Sequence, residues 1–105
     1  MSANPWAGEV TLVIDGEPRV MKLTLGALAE LEAAMQADTL VALIERFEGG
    51  QLSARDVVAL IVAGLRGGGW RGRSEDLLSS DIEGGPVAAT KAAGELIRRA
   101  FALDG

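Results

Sequence analysis

The feature that most constrains this chain is the dipeptide Asp15-Gly16, set between two runs in which apolar and polar residues alternate. Aspartate followed by glycine suits a tight turn, and alternation is typical of half-buried strands. The sequence therefore predicts a β-hairpin over residues 9–24. Helical periodicity follows it, so the expected fold class is α+β, with an N-terminal β-hairpin followed by a small bundle of about four helices.

Two registers of this hairpin are open. A two-residue turn at Asp15-Gly16 places Leu12 opposite Arg19, whereas a four-residue loop over residues 15–18 places Leu12 opposite Met21. We prefer the second register, because it gathers the apolar side chains on one face and hydrophobic matching usually fixes register. The proline within residues 15–18 also fits a loop better than a ladder.

The helical part is expected over residues 25–103. Thr24 is predicted to cap the first helix and Asp38 the second. The segment that begins at Ser53 resembles a capping box, with Asp56 in place of the usual glutamate. The first helix is expected to bury a stripe that comprises Leu25, Leu28, Leu31 and Met35.

The third helical segment, VVALIVAGL, is apolar on nearly all sides, which indicates a helix at the centre of the fold or one that meets a second surface. A glycine-rich loop over residues 67–73 follows it. Next come a short turn with Leu77 and Leu78 directed inward and a last helix ending near Phe101. Residues 1–7 are interpreted as a loose arm of one domain spanning residues 1–105. The other side chains assigned to the core are Leu28, Leu43, Phe47, Leu60 and Ile61, with Ala93, Leu96, Ile97, Ala100 and Phe101 as the inner stripe of the last helix.

Composition argues against catalysis and against bound cofactors. The chain has no Cys and no His, so it lacks the commonest general base and the commonest transition-metal ligands. Residues 67–72 formally match G-x-G-x-x-G, but they follow a helix instead of a strand, so the match does not indicate a dinucleotide site. We expect no enzyme activity, no cofactor and no metal.

Charge and hydropathy limit the partners. Fifteen acidic residues face ten basic ones, for a net charge of −5, and such a chain is repelled by the nucleic-acid backbone. No apolar run reaches the roughly 18–20 residues that a membrane span requires. The first residues lack the features of a signal peptide, so a cytoplasmic location is expected.

Four residues are candidates for contact with another protein. Trp70 and Arg71 lie in the glycine-rich loop, and these residue types are the ones most enriched at binding hot spots. Val58 and Val62 lie off the main apolar face of the third helix. The alternative is structural, with Trp70 packed under the last helix and both valines in the core.

Three blocks, GEVTLVIDGEPRVMKLTLGALAELE, LVALIERFEGG and SARDVVALIVAGLRGGGW, resemble in order the small tail proteins of gene transfer agents, the phage-like particles of alphaproteobacteria. The resemblance runs from about Gly8 to Ile97. The family is grouped with phage tail assembly chaperones, so it implies a chaperone that binds the tape-measure protein and tail tube subunits. A structural tail tube component is the alternative, and an unrelated adaptor module is the second. Assembly into a homo-oligomer stays open.

Overall fold

The structure, a computed structural model, describes residues 8–35 and 39–101. It confirms the α+β class, because an antiparallel hairpin precedes the helices. The predicted loose arm, residues 1–7, lies outside the described residues. The elements are β1 (Val10–Ile14), β2 (Glu17–Met21), α1 (Leu25–Ala34), α2 (Leu40–Glu48), α3 (Ala54–Gly67), α4 (Ser74–Leu78) and α5 (Gly85–Ala100).

The hairpin is closed by a two-residue turn. Asp15 and Gly16 have φ angles of 51° and 78°, the left-handed conformations that this turn requires. Leu12 therefore lies opposite Arg19, and the preferred register with a four-residue loop is wrong. The physical reason is that the first three residues of β2 are exposed. No core covers that end of the strand, so apolar matching gains nothing there and the turn decides the register.

The outer edge of β1 is covered by the chain between α4 and α5. Glu83 donates its backbone N–H to the Val13 carbonyl at 3.0 Å, and Asp15 donates to the Asp81 carbonyl at 2.7 Å. The Asp81 N–H in turn donates to the Asp15 carboxylate at 2.8 Å. The turn of the hairpin is thus fastened to the loop that precedes the last helix.

The outer edge of β2 is covered by the end of α3. Lys22 donates its N–H to the Gly64 carbonyl at 2.9 Å. A Cβ atom on Gly67 would lie 1.8 Å from the Lys22 carbonyl oxygen, and one on Gly68 would lie 2.0 Å from that of Val20. Pro18 lies opposite Val13, next to the hydrogen-bonded pair at the turn, so its missing N–H points outward and costs no ladder bond.

The core lies between the hairpin and the helices, with α3 in contact with β2, α1, α4 and α5. Leu43, Leu60 and Ile61 are buried as predicted, whereas Leu28 and Phe47 are half-buried against this core. The largest fully buried side chains are Met21, Leu31, Leu43, Leu60, Ile61, Leu65, Leu96 and Ile97.

Some side chains predicted to point inward point outward. Leu25 is 85% exposed and Leu78 is 69% exposed, and Ala100 is also exposed. The first helix reads LGALAELEAA, and its two glutamates, Glu30 and Glu32, lie on different sides of the helix, so periodicity selects its inner face only weakly. That face is formed by Ala27 and Leu31.

The helix starts follow the local capping rules. Thr24 caps α1, as predicted, by accepting from the Ala27 N–H at 3.1 Å. Thr39 caps α2 in the same way; Asp38, the predicted cap, lies outside the described residues. Ser53 and Asp56 form the predicted capping box at the start of α3.

Candidate interaction surface

The start of α3 is held in place by an ion pair with α2. Arg46 donates from Nε and Nη2 to the two carboxylate oxygens of Asp56 at 2.9 and 2.8 Å. The Ser53 N–H donates to the same carboxylate at 3.0 Å. The Arg46 guanidinium holds the pKa of the Asp56 carboxyl below its usual value, although burial acts in the opposite direction. The outward side of α3 is therefore presented on a fixed helix.

A groove of about 790 Å³ runs between α1, α3 and α4. Val58 and Val62, one turn apart on α3, form part of its apolar wall, and Leu78 from α4 contributes the most exposed apolar side chain. Two of the four predicted contact residues thus lie side by side in one concave surface.

Arginines surround this apolar wall. Arg55, Arg66 and Arg73 line the groove together with Glu30 and Glu75. Arg66 pairs with Glu30 at 3.0 Å, and Arg66 also donates to a loop carbonyl. Within the described part of the chain, no ion pair engages Arg55 or Arg73. We call this surface, defined by Arg55, Val58, Val62, Arg73 and Leu78, the arginine-rimmed groove.

A second groove of about 500 Å³ lies on the other side of Leu78, between α3, α4 and α5. It shares Ala54, Val58 and Leu78 with the arginine-rimmed groove. The two grooves therefore adjoin along the first half of α3, and Leu78 lies between them.

Trp70 and Arg71 lie apart from this groove. Trp70 is half-buried against the core, and its N–H donates to the Leu65 carbonyl at 2.9 Å. Its indole lies over Gly72, where a Cβ atom would approach the ring to 2.0 Å. Arg71 is exposed. The four predicted residues therefore form two separate pairs, and their role in binding stays a prediction.

Sequence reasoning missed the part of the groove that comes from other elements. Leu78 was expected to point inward, and neither Arg55 nor Arg73 was among the four predicted contact residues. One signal was available in α3, because Arg55, Val58, Val62 and Arg66 follow the spacing i, i+3, i+7, i+11 of a single helical stripe. An apolar stripe with an arginine at each end indicates a contact surface better than two isolated valines.

Two kinds of feature are missing from residues 8–35 and 39–101. No three or more of the Asp and Glu side chains there are grouped so that they could hold a metal ion. None of the helices in this part of the chain has both the length and the apolar character needed to cross a membrane.

The comparison with known families identifies the chain. A family model described as phage tail tube protein, GTA-gp10, matches residues 7–103. No curated protein and no solved structure matches. The predicted relation to gene transfer agent and phage tail proteins is confirmed. The predicted chaperone role is wrong, because the matching family is described by a tube protein, which agrees with the structural alternative. This chain belongs to the family of the phage tail tube protein, GTA-gp10.

Proposed function

We propose that this protein is a structural, non-catalytic component of the tail tube of a phage-like particle. The observation that supports this most is the family match, which extends over residues 7–103 and so concerns nearly the whole chain. Tube subunits are its expected main partners, other copies of this chain among them. A tape-measure protein enclosed by the tube is a further expected contact, and assembly is expected in the cytoplasm.

The surface chemistry supports a role in protein contacts. The two adjoining grooves on α3 offer apolar walls, and arginine side chains stand at the rim of one of them. Arginine beside apolar surface is typical of protein interfaces. The absence of His and Cys from the sequence fits a protein that contributes surface instead of reactive groups.

The shortage of strands does not argue against a tube role. A small number of strands would matter if the subunits of a ring joined through free sheet edges. Here backbone contacts cover part of each edge of the hairpin, at Val13 on β1 and at Lys22 directly after β2. We therefore expect subunits to meet through side-chain surfaces on the helices, which pack together through interlocking ridges and grooves.

The test is the composition of purified particles. Intact particles are treated with nuclease, banded twice on a density gradient and analysed by quantitative mass spectrometry against a labelled standard of this chain. We expect the protein in many copies per particle, with antibody labelling along the tail. If it is abundant in producing cells but missing from intact particles, the tube role is wrong. The amount of an abundant cytosolic protein of the same cells in the purified particles serves as the control, because it measures contamination by cell contents.

A further inference from the structure

The outer face of α2 is a short stripe that is both apolar and acidic. Val41, Glu45 and Glu48 are the exposed residues of this helix, spaced i, i+4 and i+7. Val41 is 66% exposed, so an apolar side chain stands on the outer side of this helix. Within the described residues, no ion pair engages either glutamate. This stripe, Val41–Glu45–Glu48, is hereafter the α2 face.

The arginine-rimmed groove has the opposite pattern. Its wall is apolar, and once the Arg66–Glu30 pair is counted as neutral, Arg55 and Arg73 outweigh Glu75. The groove is thus a positive region on a chain whose net charge is −5. An occupant that matches it has an apolar side chain for the wall and carboxylates for the two arginines.

We propose that the arginine-rimmed groove binds the α2 face of a second copy of this chain. Val41 of one copy packs against the apolar wall of the next, and Glu45 and Glu48 pair with its arginines. The α2 face is short enough for the groove, because it spans about 10 Å and the stripe from Arg55 to Arg66 spans about 16 Å along α3. An amphipathic helix in a groove is a recurrent mode of protein recognition.

This contact joins two different surfaces of the same chain, so it is head to tail. The alternative of groove against groove would bring arginines of one copy against arginines of the other. Head-to-tail contacts close into rings or continue as helical assemblies, which is what a tube requires. The inference rests on the tube function proposed above and adds which surfaces meet.

The first test is site-specific crosslinking. The chain has no cysteine, so an introduced cysteine is the sole thiol that can react. One batch of protein has Val41→Cys and another has Leu78→Cys, both at exposed positions. After mixing, a short thiol-to-thiol crosslinker is expected to give a covalent dimer, whereas each variant alone gives none. Val87→Cys, which is also 66% exposed, replaces Val41→Cys as the matched control, with at least tenfold less dimer expected.

The second test uses charge reversal within the same assay. Glu45→Arg with Glu48→Arg on the Val41→Cys copy is expected to abolish the dimer. Adding Arg55→Glu and Arg73→Glu to the Leu78→Cys copy is expected to restore it. All four positions are exposed, so circular dichroism is expected to show unchanged folding.

Three results overturn the inference: no dimer from the mixed variants, equal yield from Val87→Cys, or a yield that charge reversal leaves unchanged. Capture of a different tail protein by the Leu78→Cys copy, with no second copy captured, overturns it as well. If any of these occurs while the protein is abundant in purified particles, the tube function stands and only the contact is wrong. Absence from particles refutes the tube function whatever the crosslinking gives.

Discussion

Asp56 joins two helices through one buried carboxylate. It is the charged residue that is buried among those described, at 7% exposure, and it accepts from Arg46 and from the Ser53 backbone. A buried carboxylate that lacks such partners is costly, so the three groups act as a unit. The Arg46 side chain of α2 is joined to the start of α3 through this unit.

Replacing Asp56 with asparagine tests that unit. We expect Asp56→Asn to lower the free energy of unfolding by about 2–3 kcal/mol, below the range for fully buried pairs because Arg46 keeps some contact with water. Urea denaturation at pH 7 measures the change. Glu32→Gln, at an exposed position of α1, is the control and is expected to cost less than about 0.5 kcal/mol.

The same carboxylate makes stability depend on pH. Its pKa is lowered in the folded protein, chiefly by the hydrogen bonds from Arg46, so the folded state favours the ionised form. The contribution of the Asp56 carboxylate to folding stability is complete above its unfolded pKa of about 3.9. This contribution is lost as the pH falls through the lower pKa of the folded protein. The stability gap between wild type and Asp56→Asn should therefore shrink below pH 4. A gap that stays constant down to acid unfolding would contradict this assignment.

Gly67 is required by the close approach of α3 to the hairpin. An alanine Cβ there would meet the Lys22 carbonyl oxygen at 1.8 Å. Gly67→Ala is expected to destabilise the protein by about 2–3 kcal/mol, although alanine favours helices. Gly26→Ala on α1, where the nearest atom is 4.0 Å away, is expected to stabilise by up to about 1 kcal/mol. Thermal unfolding of both variants measures these changes in stability. Equal changes for Gly67→Ala and Gly26→Ala would exclude a steric cause at Gly67.

At the scale of elements, the hairpin depends on the conformation of its turn. Gly16 has φ 78°, so Gly16→Ala is expected to cost about 1 kcal/mol. Asp15→Asn keeps both the turn preference and the acceptor for the Asp81 N–H, and we expect it to be nearly neutral. Hydrogen exchange of the hairpin amides measures both changes. Faster exchange in both variants would show that the contact with Asp81 depends on the charge of Asp15.

The elements that local chemistry determines were predictable from the sequence. Thr24, Ser53 and Asp56 were correctly assigned as caps, because a cap depends on residues three positions apart. The hairpin register was not predicted correctly, since it depends on whether a core covers the end of β2. The inner face of α1 was predicted in part, because Leu31 is buried and Leu28 and Met35 pack against the core, whereas Leu25 at the start of the helix is exposed.

The candidate surface was predictable only in the part that one helix supplies. Val58 and Val62 were identified because they lie off the main apolar stripe of α3, and they do line a groove. Leu78 and Arg73 reach the same groove from α4 and the loop before it. Which side chains of a five-residue helix point outward depends on where that helix packs, and the sequence contains no periodic signal for so short a segment.

At the scale of the whole molecule, positive and negative side chains are concentrated on different surfaces, although the net charge is −5. Arg55 and Arg73 border the groove, whereas the α2 face presents Glu45 and Glu48. If copies meet through these surfaces, self-association is expected to weaken steeply between 0.05 and about 0.5 M salt, because the screening length falls well below 10 Å. Sedimentation velocity over that range measures it. Association that strengthens with salt would indicate a purely apolar contact.

The contacts that cover part of the hairpin edges have a consequence if this protein assembles in many copies, as we propose. An uncovered strand edge is a template for open-ended, amyloid-like polymerisation. On β2, Pro18 offers no N–H and the glycines at the end of α3 lie against the Val20 and Lys22 carbonyls. On β1, the Val13 carbonyl already accepts a hydrogen bond from the Glu83 N–H. These contacts reduce the length of strand edge through which crowded copies of this chain could add to one another as fibres, which favours side-chain recognition as the means of ordering them.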